Sequence, residues 1–169
     1  ARWAARARQL ALRLPSSVGR SLQARLTGEF PAEVVRVAHA TGAAVHWPSS
    51  VNDHCLVEEL ELLTPDVVVM AGFSEILSPV VLERLSPVWN VHPSLLPLHR
   101  GPHPEFWTIR HGDLEAGVTI HLVDDGVDTG AVVAQERFEV EPWLTGGQLQ
   151  VRAIRAGCLL LSDLLSGST

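Results

Sequence analysis

The first half of the chain alternates between apolar positions at helical spacing and short apolar runs. Helical spacing recurs every three or four residues, whereas runs rich in valine are typical of strands buried on both faces of a parallel sheet. Pro31, Asn52 and Pro79 stand where a first helical turn or an N-cap is expected. The predicted elements are helices over 31–42, 53–63 and 78–85, and strands over 43–47, 66–70 and 88–91.

The second half has a different pattern. Two strand-like segments, 117–123 and 131–142, flank the turn-forming sequence DDGVDTG. This arrangement predicts a tight antiparallel-like pair joined by a loop that carries carboxylates. A final helix is predicted over 145–165, with its apolar face formed by Val151, Ile154, Cys158, Leu161 and Leu165.

Strands that alternate with helices indicate an α/β fold with a mostly parallel sheet flanked by helices. At 169 residues, the chain is expected to form a single domain. Ligands of such folds bind at the carboxyl ends of the strands. Asn90 and His92 lie at one such end, and Gly72 to Ser74 lie at another.

Composition narrows the function classes. Hydrophobic residues make up 46% of the chain, which excludes a largely disordered protein. The net charge of -6 disfavours nonspecific nucleic-acid binding, and the longest apolar run, 67–73, is too short to span a bilayer. Two distant cysteines, Cys55 and Cys158, form no disulfide framework, so a reducing, cytoplasmic location is expected.

Charge is unevenly distributed, because residues 1–28 hold six of the thirteen arginines and no acidic residue. Trp3, Ala7, Leu10 and Leu14 follow helical spacing there. Three interpretations stay open: an amphipathic helix packed on the domain, a basic surface for a phosphate-bearing ligand, and a targeting segment.

Two motifs carry residues suited to acyl transfer: Asn90-x-His92 at a strand end, and Asp128 in the Gly-bounded loop. An amide donor and an imidazolium directed at one point can stabilise an oxyanion that forms when an amine attacks an acyl carbon. A carboxylate close to the imidazole keeps the ring charged and oriented, and through a water it can help to remove the amine proton. No covalent nucleophile is required.

The sequences NVHPSLLPLHRG and HLVDDGVDTG together resemble the 10-formyltetrahydrofolate-dependent formyltransferase family, and the resemblance covers about residues 43–140. Within the family it is closest to glycinamide ribonucleotide transformylase and to the formylation domains of peptide synthetases. It implies a Rossmann-like fold, 10-formyltetrahydrofolate as formyl donor, and catalysis by Asn90, His92 and Asp128. It also implies a cis Leu96-Pro97 bond and donor-binding positions at Met70, Ala71, Gly72, Phe73, Ile76, Leu77, Val123, Asp124, Asp125, Gly126 and Val127.

The chain departs from the family in places. No strand and Gly-rich loop are found before residue 43, so the first strand-helix unit is expected to be missing, trimmed or replaced. Glu75 stands where the transformylase has an arginine. Because no further domain follows, methionyl-tRNA is not expected as acceptor, and no nucleic-acid or membrane partner is expected.

The expected acceptor is a small or carrier-bound primary amine: glycinamide ribonucleotide-like, a sugar amine or an aminoacyl group. Two other functions stay open, namely hydrolysis of formyltetrahydrofolate and a non-catalytic folate-binding or partner-binding role. The sequence does not specify the oligomeric state.

Other polar and aromatic residues receive structural interpretations first. His121, inside a predicted strand, is expected to be structural rather than catalytic. The histidines lack the spacing of a zinc site, so no metal is expected. Phe106 and Trp107 fit the apolar side of a short helix or a wall of the acceptor pocket, and Arg100-Gly101 either anchors the loop or meets an anionic group.

Overall fold

A computed structural model describes residues 32–46, 48–85 and 87–167. The predictions made for the Arg-rich residues 1–28 lie outside the described residues. The chain divides into two compact units, Ala1–Thr64 and Pro65–Thr169. All the candidate site residues belong to the second unit.

The first unit contains two described helices, α1 (Ala32–Thr41) and α2 (His54–Leu63). The N-cap of α2 is Asp53 rather than the predicted Asn52, because the Asp53 carboxylate accepts the backbone N–H groups of Cys55 and Leu56. The predicted strand over 43–47 is wrong for its described residues 43–46, which pair with no strand in the described part of the chain.

The second unit is built on a four-stranded sheet in the order β1-β2-β3-β4, flanked by helices. Its α/β, Rossmann-like class is as predicted. The predicted parallel pairing holds for β1 and β2, whereas β3 pairs antiparallel with both β2 and β4. The strands and helices are β1 (Val68–Ala71), α3 (Pro79–Leu85), β2 (Val88–His92), α4 (Pro104–His111), β3 (Glu115–Leu122), β4 (Val132–Glu139) and α5 (Gly146–Ser166).

Strand β3 forms the centre of this unit. Val118, Thr119 and Ile120 are fully buried, although they alternate between the two faces of the sheet. Helix α5 packs on the face that carries Val118. Thr119, on the other face, accepts a hydrogen bond from the backbone N–H of Leu96 and donates one to the carbonyl of Ser94. The loop after β2 is therefore fastened to the same face of the sheet that carries the candidate site.

Helix α5 approaches the sheet through small residues. A Cβ atom at Gly157 would lie 2.9 Å from Cγ1 of Val91 and 3.1 Å from Cγ2 of Val118. A residue with a side chain at position 157 would therefore keep the helix from lying this close to the sheet. Val91 sits between Asn90 and His92, so the helix supports the strand that carries both residues.

The apolar face predicted for α5 is wrong. The buried residues are Leu149, Ala153 and Gly157. Two of these three residues are small, because the helix lies close to the sheet at Gly157, whereas the prediction followed the bulkiest side chains. The start was predicted well, since Thr145 is the N-cap and forms a capping box with Gln148. Four of the five residues of the predicted apolar face are exposed to solvent: Val151, Ile154, Cys158 and Leu165.

Both cysteines are exposed free thiols. Among the described residues, no helix combines the length and the apolar character needed to cross a bilayer.

Candidate active site

The register of the sheet brings the predicted residues into one row. The Cα atom of Asn90 pairs with that of Met70 on β1 and with that of His121 on β3. Asn90 and His92 alternate with Val91, so both side chains lie on the face opposite α5. The end of β1, where donor binding was predicted, is thus next to the predicted catalytic strand.

Asp128 lies in the loop between β3 and β4 and has φ of 50°, in the left-handed region. Asp is one of the few residues that tolerate this conformation. The loop is closely packed, because a Cβ atom at Gly130 would lie 1.8 Å from the carbonyl oxygen of Leu122. Asp124 accepts hydrogen bonds from the Thr129 hydroxyl at 2.6 Å and from the Gly126 backbone N–H at 3.1 Å. Asp124 therefore organises the loop that presents Asp128.

The Asp128 carboxylate is contacted by four nitrogen atoms. Oδ1 lies 3.2 Å from Nδ2 of Asn90 and 3.4 Å from Nε2 of His121. Oδ2 lies 2.8 Å from the backbone nitrogen of Gly101 and 3.4 Å from Nδ1 of His92. The three predicted catalytic side chains thus meet at one carboxylate.

Burial raises the pKa of Asp128, but this effect is outweighed by hydrogen bonds from His121 and Gly101 and by the nearby imidazoles. The net result lowers the pKa of Asp128 to about 2. The carboxylate is therefore ionised at neutral pH, and a group with so low a pKa is a poor proton acceptor there.

His92 is buried, and both of its ring nitrogens face protein acceptors. Nε2 lies 2.9 Å from the carbonyl oxygen of His99, and Nδ1 faces Asp128. The ring satisfies a carbonyl and a carboxylate together only when both nitrogens carry a proton. His92 is therefore held between the β3–β4 loop and the loop after β2.

His121 belongs to the site, although its position inside a strand favoured a structural role. Its side chain lies on the same face of the sheet as that of Asn90, because the two residues are register partners on β2 and β3. Its Nδ1 atom lies 2.7 Å from the carbonyl of Leu122, and its Nε2 atom faces Asn90 and Asp128. Burial lowers the pKa of His121, whereas the hydrogen bonds to Asp128 and Leu122 and the charge of Asp128 raise it. The raising effects are larger in sum, so the pKa of His121 lies above its ordinary value. The sequence alone does not give the register that pairs His121 with Asn90.

The predicted donor-binding residues occupy two neighbouring segments. Leu77 is buried, whereas Phe73, Ile76 and Val127 are exposed to solvent by 47%, 67% and 53%. Asp125 is exposed, in contrast to the loop-bonded Asp124. The backbone N–H of Val123 bonds to the carbonyl of Val88, which ties the second segment to β2.

Three further predictions concern the loop after β2 and helix α4. The Leu96-Pro97 bond is cis, as the resemblance implied. Gly101 anchors the loop through its bond to Asp128, which agrees with one of the two interpretations of Arg100-Gly101. Phe106 and Trp107 are partly exposed and contact each other edge to face.

A cavity of about 370 Å³ opens beside this loop, but it is separate from the row of site residues. Residues 95–98 form one side of it, and Gln135 and Arg137 of β4 form part of another. None of Asn90, His92, His121 and Asp128 lines the cavity.

The family model for formyl transferase matches residues 17–164. The chain belongs to the formyl transferase family. This match extends beyond the region 43–140 on which the sequence resemblance rested, so it includes part of the segment before residue 43, where no strand was predicted.

Curated relatives include methionyl-tRNA formyltransferases. The protein from Chloroflexus aggregans is 41% identical over 137 residues, which cover 80% of this chain and 43% of that relative. The protein from Syntrophus aciditrophicus is 41% identical over 116 residues, covering 68% and 37%. The chain thus spans less than half the length of these relatives.

Solved structures of the same family share the fold. The phosphoribosylglycinamide formyltransferase from Streptococcus pneumoniae TIGR4 matches with a TM-score of 0.71 and 31% identity, covering 79% of each chain. That from Bacillus halodurans gives a TM-score of 0.71 and 31% identity, covering 83% of this chain and 79% of the other.

The comparisons bear on the expectation that no nucleic acid is a partner. One ground for it was that the chain ends after one domain. Since the relatives extend well beyond the matched region, that ground fails.

Proposed function

We propose that this chain transfers a formyl group from 10-formyltetrahydrofolate to a primary amine. The observation that carries the proposal is the convergence of Asn90 and His92 on the Asp128 carboxylate, at 3.2 and 3.4 Å, in a member of the formyl transferase family. Residues separated by 38 positions in the sequence form one contact there.

The surroundings of Asn90 fit a flat, partly apolar donor. The segment after β1 and the β3–β4 loop both flank the row that contains Asn90 and expose apolar side chains, including Phe73 and Val127. Ligand sites of this kind combine apolar walls with a few fixed polar groups. We assign the same two segments to donor binding: residues 70–73, 76, 77 and 123–127.

The bound donor would supply an acyl carbon with a carbonyl oxygen. The acceptor nitrogen forms a bond to that carbon, the bond to the folate nitrogen breaks, and a proton passes from the amine to the leaving nitrogen by way of solvent. The products are a formamide and tetrahydrofolate. In this scheme a cationic His121 donates to Asp128, so that the second N–H of Asn90, beyond the one that Asp128 accepts, stabilises the negative charge on the carbonyl oxygen.

His92 and Asp128 act around that donor group. Cationic His92 supplies positive charge close to Asn90, and the ionised Asp128 fixes the orientation of both side chains. Because the pKa of Asp128 is about 2, its role is to orient and to balance charge rather than to accept the amine proton directly. The water proposed from the sequence then relays the amine proton to the leaving folate nitrogen, while Asp128 orients the groups around it.

An aminoacyl group carried on tRNA is the acceptor that we place first. Its support is the 41% identity to methionyl-tRNA formyltransferases, against 31% for the solved phosphoribosylglycinamide formyltransferases. Glycinamide ribonucleotide and sugar amines are the alternatives to be tested beside it.

The decisive experiment incubates the chain with 10-formyltetrahydrofolate and each acceptor in turn, and follows formyl incorporation by mass spectrometry. We expect incorporation with one acceptor and about 10²-fold or greater loss of kcat in Asn90→Ala. Gln135→Ala is the matched amide control, because Gln135 bonds to Leu96 and Thr119 but contacts no predicted catalytic atom. Release of formate without an acceptor would favour hydrolysis, and folate binding without turnover would favour a non-catalytic role.

A further inference from the structure

A second polar cluster lies outside the row of site residues. One ring nitrogen each of His99 and His111 and one carboxylate oxygen of Asp113 all lie within 4.8 Å of one another. Nε2 of His99 lies 2.5 Å from Oδ2 of Asp113. The two imidazole rings are tilted by 38°, with centroids 5.3 Å apart.

The backbone holds these three residues in place. His111 is the last residue of α4, and Gly112 turns the chain so that the backbone N–H of Asp113 bonds to the carbonyl of Thr108 at 3.1 Å. The carbonyl of His99 accepts a hydrogen bond from His92. A ligand set positioned by rigid backbone loses little conformational freedom when it binds.

We propose that His99, His111 and Asp113 form a binding site for a divalent transition-metal ion, with Zn²⁺ as the representative. Two imidazoles and one carboxylate are a donor set found in zinc sites that keep a fourth coordination position open. Imidazole nitrogens favour such metals, whereas Mg²⁺ and Ca²⁺ prefer oxygen ligands. The proposal runs against the sequence-based expectation of no metal, and it does not depend on the proposed formyl transfer.

The short contact between His99 and Asp113 defines the metal-free arrangement. Ligand atoms about 2.0–2.1 Å from a tetrahedral zinc ion lie roughly 3.3 Å apart. Binding would therefore separate Nε2 of His99 from Oδ2 of Asp113 by a little under 1 Å, and the ion would replace the proton between them. His111 is on the surface and Asp113 lines the 370 Å³ cavity, so an ion can reach all three ligands from solvent.

Histidine spacing alone does not predict this cluster. Twelve positions separate His99 from His111, and the third ligand follows two residues later. The left-handed conformation of His99, with φ of 53°, and the turn at Gly112 bring the ligands together. Neither feature is evident from residue types.

The test is calorimetric titration of the untagged, chelator-treated chain with ZnCl₂, and with MgCl₂ as the comparison ion. We expect saturable binding of one Zn²⁺ per chain and no comparable binding of Mg²⁺. His111→Ala and Asp113→Asn should each weaken Zn²⁺ binding by about 100-fold or more, on the scale found when metal-site groups are removed. Thermal unfolding without metal checks that both variants are folded.

Two matched controls localise the ion. His103→Ala removes an exposed histidine of the same loop whose ring contacts Glu105, and it should bind Zn²⁺ like the parent chain. Asp128→Asn should also leave binding unchanged. The proposal is overturned if the parent chain does not bind Zn²⁺, if His111→Ala binds with unchanged affinity, or if Asp128→Asn is the variant that loses binding.

Discussion

Nδ2 of Asn90 lies 3.2 Å from Nε2 of His121, and this contact is a hydrogen bond only when Nε2 carries no proton. Nδ1 of His121 donates to the carbonyl of Leu122. A neutral ring therefore accepts at Nε2 and engages an N–H of Asn90. A cationic ring instead donates to Asp128 and leaves that N–H free for a ligand.

The contact predicts energetic coupling between these two residues in catalysis. His121→Ala should lower kcat, and the loss in the double variant with Asn90→Ala should be smaller than the sum of the single losses, with a coupling energy of about 0.5–3 kcal/mol. A double-mutant cycle on kcat/KM measures this. His103→Ala, combined with Asn90→Ala, should give additive effects. Additivity for His121 would contradict the role assigned to it.

Asp128 should be far more sensitive to neutralisation than its neighbour in the loop. Asp128→Asn keeps the shape but removes the charge that orients His92 and Asn90, so kcat should fall by about 10²-fold or more. Asp125→Asn is the comparison variant, since Asp125 is an exposed carboxylate of the same loop within the proposed donor-binding segment, so its loss should raise the KM for the donor rather than lower kcat. Steady-state kinetics of both variants measure the loss of kcat. Equal losses would show that the total charge of the loop, rather than the position of Asp128, sets kcat.

Stability should depend on pH in opposite senses through Asp128 and His121. The pKa of Asp128 is lowered from its ordinary 3.8 to about 2, so its contribution of about 2 kcal/mol is present above pH 3.8 and is lost as the pH falls towards 2. The pKa of His121 is raised above 6.5, so its contribution is complete below 6.5 and is lost as the pH rises through the higher folded-state value.

Urea unfolding across this pH range should therefore give a plateau in the free energy of unfolding between about pH 4 and 6.5 for these two groups. His121→Gln should flatten the alkaline side, whereas Asp128→Asn should flatten both sides, because Asp128 is itself a main cause of the raised pKa of His121. Unchanged slopes in both variants would mean that other groups set the pH dependence.

The approach of α5 to the sheet should be intolerant of added volume at a single position. Gly157→Leu places atoms where Val91 and Val118 already lie, so it should destabilise the chain by about 1–3 kcal/mol in urea unfolding. Gly147→Leu is the control in the first turn of the same helix, because a Cβ atom there meets nothing within 4 Å. Equal losses of stability for the two substitutions would contradict the close approach of α5 to the sheet at Gly157.

Sequence patterns located the elements of the second unit better than the faces they bury. Helix α3 was predicted to within a residue, since proline at the first turn is a strong local signal. The buried face of α5 was missed because Ala153 and Gly157 carry little apolar surface, and close approach cannot be inferred from hydrophobicity. Strand 43–47 was predicted from local pattern alone, whereas strand formation also requires a partner.

The candidate site shows the same contrast between features that local sequence patterns predict and features that depend on the tertiary structure. Asn90, His92 and Asp128 could be proposed together because two motifs resemble one family, although their contact depends on the sheet register. His121 was placed in the strand correctly, but its contact with Asn90 and Asp128 depends on the register that pairs it with Asn90 on β2. The ligands of the proposed metal site meet through backbone turns, which residue types do not reveal.

The loop from His99 to Gly101 holds His92 and Asp128 with main-chain atoms, a carbonyl oxygen and an amide N–H. Replacing the side chains of His99 or Arg100 leaves those two hydrogen bonds available. Substitutions at His99 and Arg100 can therefore change the side chains that this loop presents, while the main-chain hydrogen bonds that hold His92 and Asp128 are kept.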